Sequence, residues 1–98
     1  MVATDRVLTL HPGGKQGVRI ERAKYDGMVA ALLAVIPEDA PGVPFKELSD
    51  RVRPHLPADV YTAGVSVSWY LTTIKLDLEA RGLLRRLKGS PQRLVRVG

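Results

Sequence analysis

The first long apolar stretch of the chain repeats at the spacing of an α-helix. Between positions 22 and 36, apolar side chains recur at steps of three and four residues: Tyr25, Met28, Val29, Leu32 and Ile36. This period places them on one face, so we predict a helix over residues 22–36. Pro37 follows, and because its ring blocks the next hydrogen bond of a helix, we expect the helix to end there.

Two further helices are predicted downstream. One spans residues 45–53, and prolines at positions 54 and 57 end it. The other spans residues 65–81, where a second apolar stripe precedes Gly82 at the place of a left-handed C-cap. This stripe consists of Val67, Leu71, Ile74 and Leu78. The loop between the two helices is expected to include one more helical turn at 57–61.

Short β-prone segments flank these helices. Each of two pairs of segments is separated by turn-forming residues, so each pair is predicted to form a hairpin. The paired segments are residues 6–10 with 18–21, and residues 83–88 with 92–97. Residues 43–44 are expected to extend a sheet edge. The elements together predict an α+β fold.

Composition narrows the class of protein. The chain of 98 residues has no cysteine, which excludes disulfides and thiolate chemistry. Its longest apolar run, residues 28–36, is too short to span a membrane, and its first residues lack the apolar region of a secretory signal. We therefore expect a cytoplasmic protein with no membrane partner. It is predicted to contain a hairpin extension over residues 1–21 and one domain over residues 22–98.

The basic residues are concentrated at the C-terminal end. Residues 1–79 carry nine Lys or Arg against ten Asp or Glu, whereas residues 80–98 carry six Lys or Arg and no acid. The net charge of +5 therefore originates in the last hairpin. Such asymmetry indicates an anionic partner, most often nucleic acid. A solvated basic surface is the alternative.

The predicted pairing of the last hairpin sharpens this hypothesis. If residues 89–92 form a four-residue turn, Arg85 faces Arg96 and Lys88 faces Arg93. Like charges directly opposite each other are mildly destabilising, so we expect these residues, with Arg86, to be presented to phosphates. Polar residues at the start of the third helix are expected to add contacts. These are Ser66, Ser68, Thr72 and Thr73.

The third helix predicts a second apolar surface opposite its core stripe. Val65, Trp69 and Leu76 lie there, where a helix that reads DNA bases carries Arg, Lys, Asn, Gln or Ser. Because monomeric domains tend not to expose contiguous apolar patches, we predict that Trp69 is substantially buried. Its cover is expected to be the N-terminal hairpin, a second copy of the chain or another protein. The three residues are therefore a predicted protein interface.

Two motifs in this order of elements point to a known fold. Leu78-Glu79-Ala80-Arg81-Gly82-Leu83-Leu84 ends the third helix, and Phe45-Lys46-Glu47-Leu48 begins the second. With them, residues 22–98 resemble a winged helix-turn-helix domain, and the whole chain resembles a group of small uncharacterised bacterial proteins. The winged-helix resemblance implies a DNA-binding regulator. The loop over residues 54–64 departs from it, because that loop usually has about three or four residues.

We predict a small winged-helix protein that binds DNA or another polyanion through its basic C-terminal wing. The alternative is a protein-interaction or homodimerisation module that uses the outer face of the third helix. We expect no cofactor, no metal and no catalysis. His11 and His55 lie in proline-containing loops without ligand spacing, and Asp77 and Glu79 are interpreted as scattered surface acids.

Overall fold

A computed structural model describes residues 5–97, so the predicted domain limits at residues 1 and 98 lie outside the described part. The strands are β1 (Arg6–Leu8), β2 (Arg19–Glu21), β3 (Val43–Pro44), β4 (Leu84–Leu87) and β5 (Arg93–Arg96). The helices are α1 (Arg22–Val35), α2 (Leu48–Val52) and α3 (Val67–Ala80). The fold is α+β with two small antiparallel sheets, as predicted, and the strands are a little shorter than expected.

The three-stranded sheet has β5 at its centre, between β3 and β4. Val43 pairs with Leu94, which confirms that residues 43–44 extend the sheet. The backbone N–H of Phe45 donates to Gln92 O at 2.9 Å just beyond this pairing. The start of the second helical segment is thereby fixed against the tip of the last hairpin.

The core lies where α1, α3 and the inner face of this sheet meet. Met28 and Leu32 of α1 are 0% exposed, and so are Ile74 and Leu78 of α3 and Leu94 of β5. The predicted stripes of both long helices are therefore confirmed as core. Burying each such side chain contributes roughly 1.5–3 kcal/mol to stability.

The second helix is less regular than predicted. In place of one helix over residues 45–53, the chain forms a 3₁₀ turn at Phe45–Glu47, the short α2, and another 3₁₀ turn at Arg53–His55. Pro54 lies in the last turn and lacks the N–H that a longer α-helix needs there. Leu48 and Val52 are nevertheless buried, so this segment packs against the core through one face.

The register of the last hairpin differs from the predicted one by one residue. Leu84 pairs with Arg96, and Arg85 pairs with Val95, so Arg85 does not face Arg96. Lys88 lies beyond the end of β4 and has no partner in the ladder. In this register the two buried leucines, Leu84 and Leu94, share the inner face, and a one-residue slip would separate them. The prediction of facing like charges was therefore wrong.

β1 and β2 pair as predicted, and Ile20 joins the core at 2% exposure. The base of the connecting loop is closed by Thr9. Its N–H donates to Val18 O at 2.9 Å, and its hydroxyl accepts from Val18 N–H at 3.0 Å. A Cβ at Gly17 would lie 1.8 Å from Thr9 O, so this close approach requires glycine.

Candidate functional site

Two of the five basic residues predicted in the last hairpin form ion pairs. Arg86 lies 3.4 Å from Glu79, and Arg96 lies 3.3 Å from Glu38. The members without an ion pair inside the described region are Arg85, Lys88 and Arg93. The free positive charge of this hairpin therefore rests on three residues, fewer than the sequence indicated.

A fourth cation joins these three. Arg85 and Arg93 lie on the face of the sheet opposite the two inward leucines, and they share that face with Val95, a side chain that is 1% exposed. Pro44 pairs with Arg93 and brings the following segment to the same end of the sheet. Lys46 lies there, exposed and without an ion pair among residues 5–97. We call Lys46, Arg85, Lys88 and Arg93 the basic face.

Sequence reasoning missed Lys46 as a site residue, although it had recognised the two-residue strand that places it.

The polar residues predicted at the start of α3 divide between two sides of the helix. Ser66 caps α3 by accepting a backbone N–H of the first turn at 3.2 Å. Ser68 and Thr72 are exposed and line, with Lys46, a groove of about 220 Å³ between α2 and α3. Thr73 lies on the other side, so only Ser68 and Thr72 adjoin the basic face.

Glu79, interpreted from the sequence as a surface acid, is largely buried. Lys75 Nζ lies 2.6 Å from its carboxylate and 5.0 Å from the centre of the Phe45 ring. The Lys75 side chain is only 3% exposed, and this burial lowers the pKa of Lys75, against the opposing effect of Glu79. Because Lys75 and Arg86 both contact Glu79, its charge is compensated and does not offset the basic face.

Asp77 was also interpreted as a surface acid, and it is 0% exposed. Its carboxylate accepts hydrogen bonds from Leu10 N–H at 2.8 Å, from Arg81 Nε at 2.9 Å and from the Tyr25 hydroxyl. Arg81 also donates to Leu8 O at 3.3 Å. The carboxylate therefore fastens the N-terminal hairpin to α1 and α3. In the sequence, the spacing of four residues between Asp77 and Arg81 was the available indication that these two side chains form an ion pair on the helix.

The prediction that Trp69 is substantially buried is wrong, because its side chain is 47% exposed. Val65 and Leu76, the other two residues of the predicted interface, are partly buried. Asp77 lies about 80° around α3 from Trp69 and holds Leu10, so the hairpin approaches α3 beside Trp69 and leaves about half of the indole exposed.

A groove remains between the hairpin and α3, with a volume of about 220 Å³. Leu10 and Val18 line it from the hairpin, and Trp69 and Leu76 line it from α3. We call it the hairpin groove. Polar atoms are supplied by Gln16 and Thr73, which also line it.

Comparison with protein-family models matches residues 6–94 to a family of unknown function, DUF6958. The chain belongs to this family. The match begins at the first residue of β1 and ends inside β5. The predicted domain boundary between residues 21 and 22 stays a prediction. No curated protein and no solved structure matches the chain.

The described part of this DUF6958 chain holds no cluster of three or more His, Cys, Asp or Glu side chains that could bind a metal ion. None of its helices, over residues 5–97, has the length and apolar character needed to cross a membrane. The positions of Asp77 and Tyr25 instead yield a prediction about alkaline pH.

Tyr25 should make the stability of this DUF6958 chain sensitive to alkaline pH. Burial and the bond to Asp77 raise the pKa of Tyr25 from 10.0 to about 12. The protonated phenol is thus favoured by folding, so its stabilising contribution is present below pH 10 and is lost as the pH rises through about 12. Urea unfolding at a series of alkaline pH values should show a smaller decline for Tyr25→Phe than for the parent. Equal declines in the two proteins would contradict this prediction.

Proposed function

We propose that residues 22–98 form a winged-helix domain with β4 and β5 as its wing, and that the protein binds DNA through the basic face. The observation that carries the proposal is that the last hairpin and the segment after β3, which pairs with it, carry four cations without ion pairs. Several cations elsewhere are paired with carboxylates, such as Arg51 with Glu47, whereas Arg6, Lys15, Arg19 and Arg53 are unpaired in the described region but lie on other segments.

Phosphate groups suit this surface chemically. Arg85 and Arg93 offer planar forks of donors that match phosphate oxygens, and Lys46 and Lys88 add compact charges. The hydroxyls of Ser68 and Thr72 adjoin Lys46 and are able to donate to further phosphate oxygens. Such contacts position a protein on DNA and make its affinity depend on salt.

Base-specific readout in the major groove is not supported by α3. Readout there uses Arg, Lys, Asn or Gln side chains in most cases. The one cation of α3, Lys75, is buried and paired with Glu79, and the exposed residues of its first turns are Ser68, Trp69 and Thr72. We therefore propose binding that depends on phosphates and shape, without catalysis.

A second candidate function is protein interaction or homodimerisation through Val65, Trp69 and Leu76. The observation in its favour is the 47% exposure of Trp69 beside partly buried apolar residues. Large exposed aromatic side chains are enriched at protein interfaces. The basic face favours the DNA proposal, because a protein partner would not explain four clustered cations without ion pairs.

Binding to random-sequence duplex DNA across a salt series tests the proposal. Four phosphate contacts predict a slope of about −3.6 for the logarithm of affinity against the logarithm of salt concentration. Replacing two of the four cations, in the variant Lys88→Gln/Arg93→Gln, should reduce this slope by about half. Glutamine keeps much of the side-chain length, so the fold and the β3–β5 pairing should be retained, which circular dichroism checks.

The matched control is Arg51→Gln/Arg53→Gln, which removes the same charge from a segment outside the basic face. Its salt slope should equal that of the parent protein. If the control and the test variant change the slope equally, only net charge matters and the proposed face is wrong. If the parent protein does not bind duplex DNA at low salt, the proposed function is wrong.

A further inference from the structure

We infer that the hairpin groove binds an unpaired nucleobase, which stacks on Trp69. This inference rests on the proposed nucleic-acid function and adds a substrate class, which is DNA or RNA with single-stranded segments. The site involves α3 and the N-terminal hairpin, whereas the basic face involves the wing and the start of the second helical segment. The two surfaces are therefore separable by mutation.

The shape of the groove suits a single flat ring. Its walls are apolar on both sides, with Leu10 and Val18 opposite Trp69 and Leu76. Its volume of about 220 Å³ lies below the 300–1,000 Å³ that is typical for pockets holding drug-sized ligands. Gln16 and Thr73 supply an amide and a hydroxyl for the polar edge of the ring. Apolar faces and a polar edge are the surfaces that a nucleobase presents.

The indole of Trp69 is available for stacking and is held in place. It meets Tyr70 edge-to-face, with centroids 4.9 Å apart and an interplanar angle of 83°, a contact that uses at most one face of the indole. Tyr70 contacts Tyr61 in the same manner, and the Tyr61 hydroxyl donates to Lys24 O at 2.6 Å. This aromatic row connects Trp69 to α1, so little ordering is needed when a base stacks.

The opposite wall is equally well fixed. Leu10 is held through its N–H by Asp77, and Val18 is held by two hydrogen bonds to Thr9. One side of the groove consists of loop residues, but these hydrogen bonds hold them in place. Both walls are therefore present before a ligand binds. A rigid slot favours a rigid planar ligand, because a flexible ligand would lose more conformational entropy on binding.

The charge of the hairpin favours a ring that is part of a polyanion. Lys15 and Arg19 flank two groove residues along the chain, and neither forms an ion pair in the region 5–97. No carboxylate lines the groove. Residues 6–20 of the hairpin carry three cations, Arg6, Lys15 and Arg19, and no Asp or Glu, so one wall of the groove belongs to a basic segment. A nucleic acid strand instead brings phosphates together with stackable bases, which is the usual pairing of features at single-strand sites.

Trp69 is the only tryptophan in the sequence, so its fluorescence reports on this site alone. Titration with single-stranded oligothymidylate should quench it. An abasic strand of the same length supplies phosphates without bases and should leave the fluorescence nearly unchanged. Duplex DNA should bind through the basic face with little quenching.

Variants extend the test to affinity, measured by anisotropy of labelled strands. Trp69→Leu should weaken binding of oligothymidylate about 5- to 150-fold, the loss that corresponds to one stacked base. Trp69→Phe, which keeps an aromatic ring, should restore most of that affinity. Duplex binding should be the same in all three proteins. Leu83→Ala, at another exposed apolar side chain, is the matched control and should change neither binding.

Each failure has its own signature. If duplex DNA binds with the expected salt slope but oligothymidylate leaves Trp69 fluorescence unchanged, this inference is overturned and the proposed function stands. If neither strand nor duplex binds, both are wrong. If the mass of the protein in solution rises towards that of a dimer as its concentration increases, and Trp69→Leu abolishes this rise, a second copy occupies the groove. That result would overturn the inference.

Discussion

Replacing Asp77 with alanine is expected to lower the free energy of unfolding by about 3 kcal/mol, the lower end of the cost of breaking a buried ion pair. The substitution leaves the Leu10 N–H, the Tyr25 hydroxyl and the Arg81 guanidinium without their acceptor. The loss stays at the lower end because the Arg81 side chain is 36% exposed and is able to turn towards water. Urea unfolding measures the change in stability.

A local measurement distinguishes this role from a general loss of stability. Amide hydrogen exchange in Asp77→Ala should accelerate most over β1 and β2, because the carboxylate anchors that hairpin. Asp50→Ala is the matched control, since Asp50 is exposed and its loss should cost within about 0.5 kcal/mol. Equal losses of stability in the two variants, or uniform exchange across the chain, would show that Asp77 does not anchor the hairpin.

Leu78→Ala is expected to cost about 2–5 kcal/mol through lost burial and the cavity left behind. Leu78 is 0% exposed and lies in the stripe of α3 that faces α1 and the sheet. Leu83→Ala removes the same atoms from a side chain that is 41% exposed, and it should cost under about 1 kcal/mol. Urea unfolding of both variants checks the assignment of helix faces. Similar costs for the two would mean that the inner face of α3 has been assigned wrongly.

The helical core was predictable because its signal is local. The steps between Met28 and Leu32, or between Ile74 and Leu78, reflect the period of a helix and need no knowledge of the rest of the chain. The last hairpin was only partly predictable. Both strands were recognised, but their register depends on which face of the sheet carries Leu84 and Leu94. That face is determined by the helices it packs against, which lie elsewhere in the sequence.

The candidate sites were harder to predict, because distant segments create them. Asp77 and Arg81 have the spacing of an ordinary surface pair, and only the arrival of Leu10 makes the carboxylate interior. The same contact places the hairpin beside Trp69, so the expected cover of the indole is only partial. Lys46 becomes part of the basic face only through the pairing of β3 with β5. None of these placements follows from periodicity.

The anchoring of the N-terminal hairpin by Asp77 has a consequence for synthesis on the ribosome. Leu10 and its acceptor are separated by 67 positions, so at 5–20 residues per second the anchor is made roughly 3 to 13 s after the segment it holds. During that delay β1 and β2 are an isolated pair of strands, which is marginal in water. Ile20, which is 2% exposed in the complete fold, is accessible to other nascent chains and to chaperones until the hairpin is held in place. The hairpin is thus translated well before the residue that secures it.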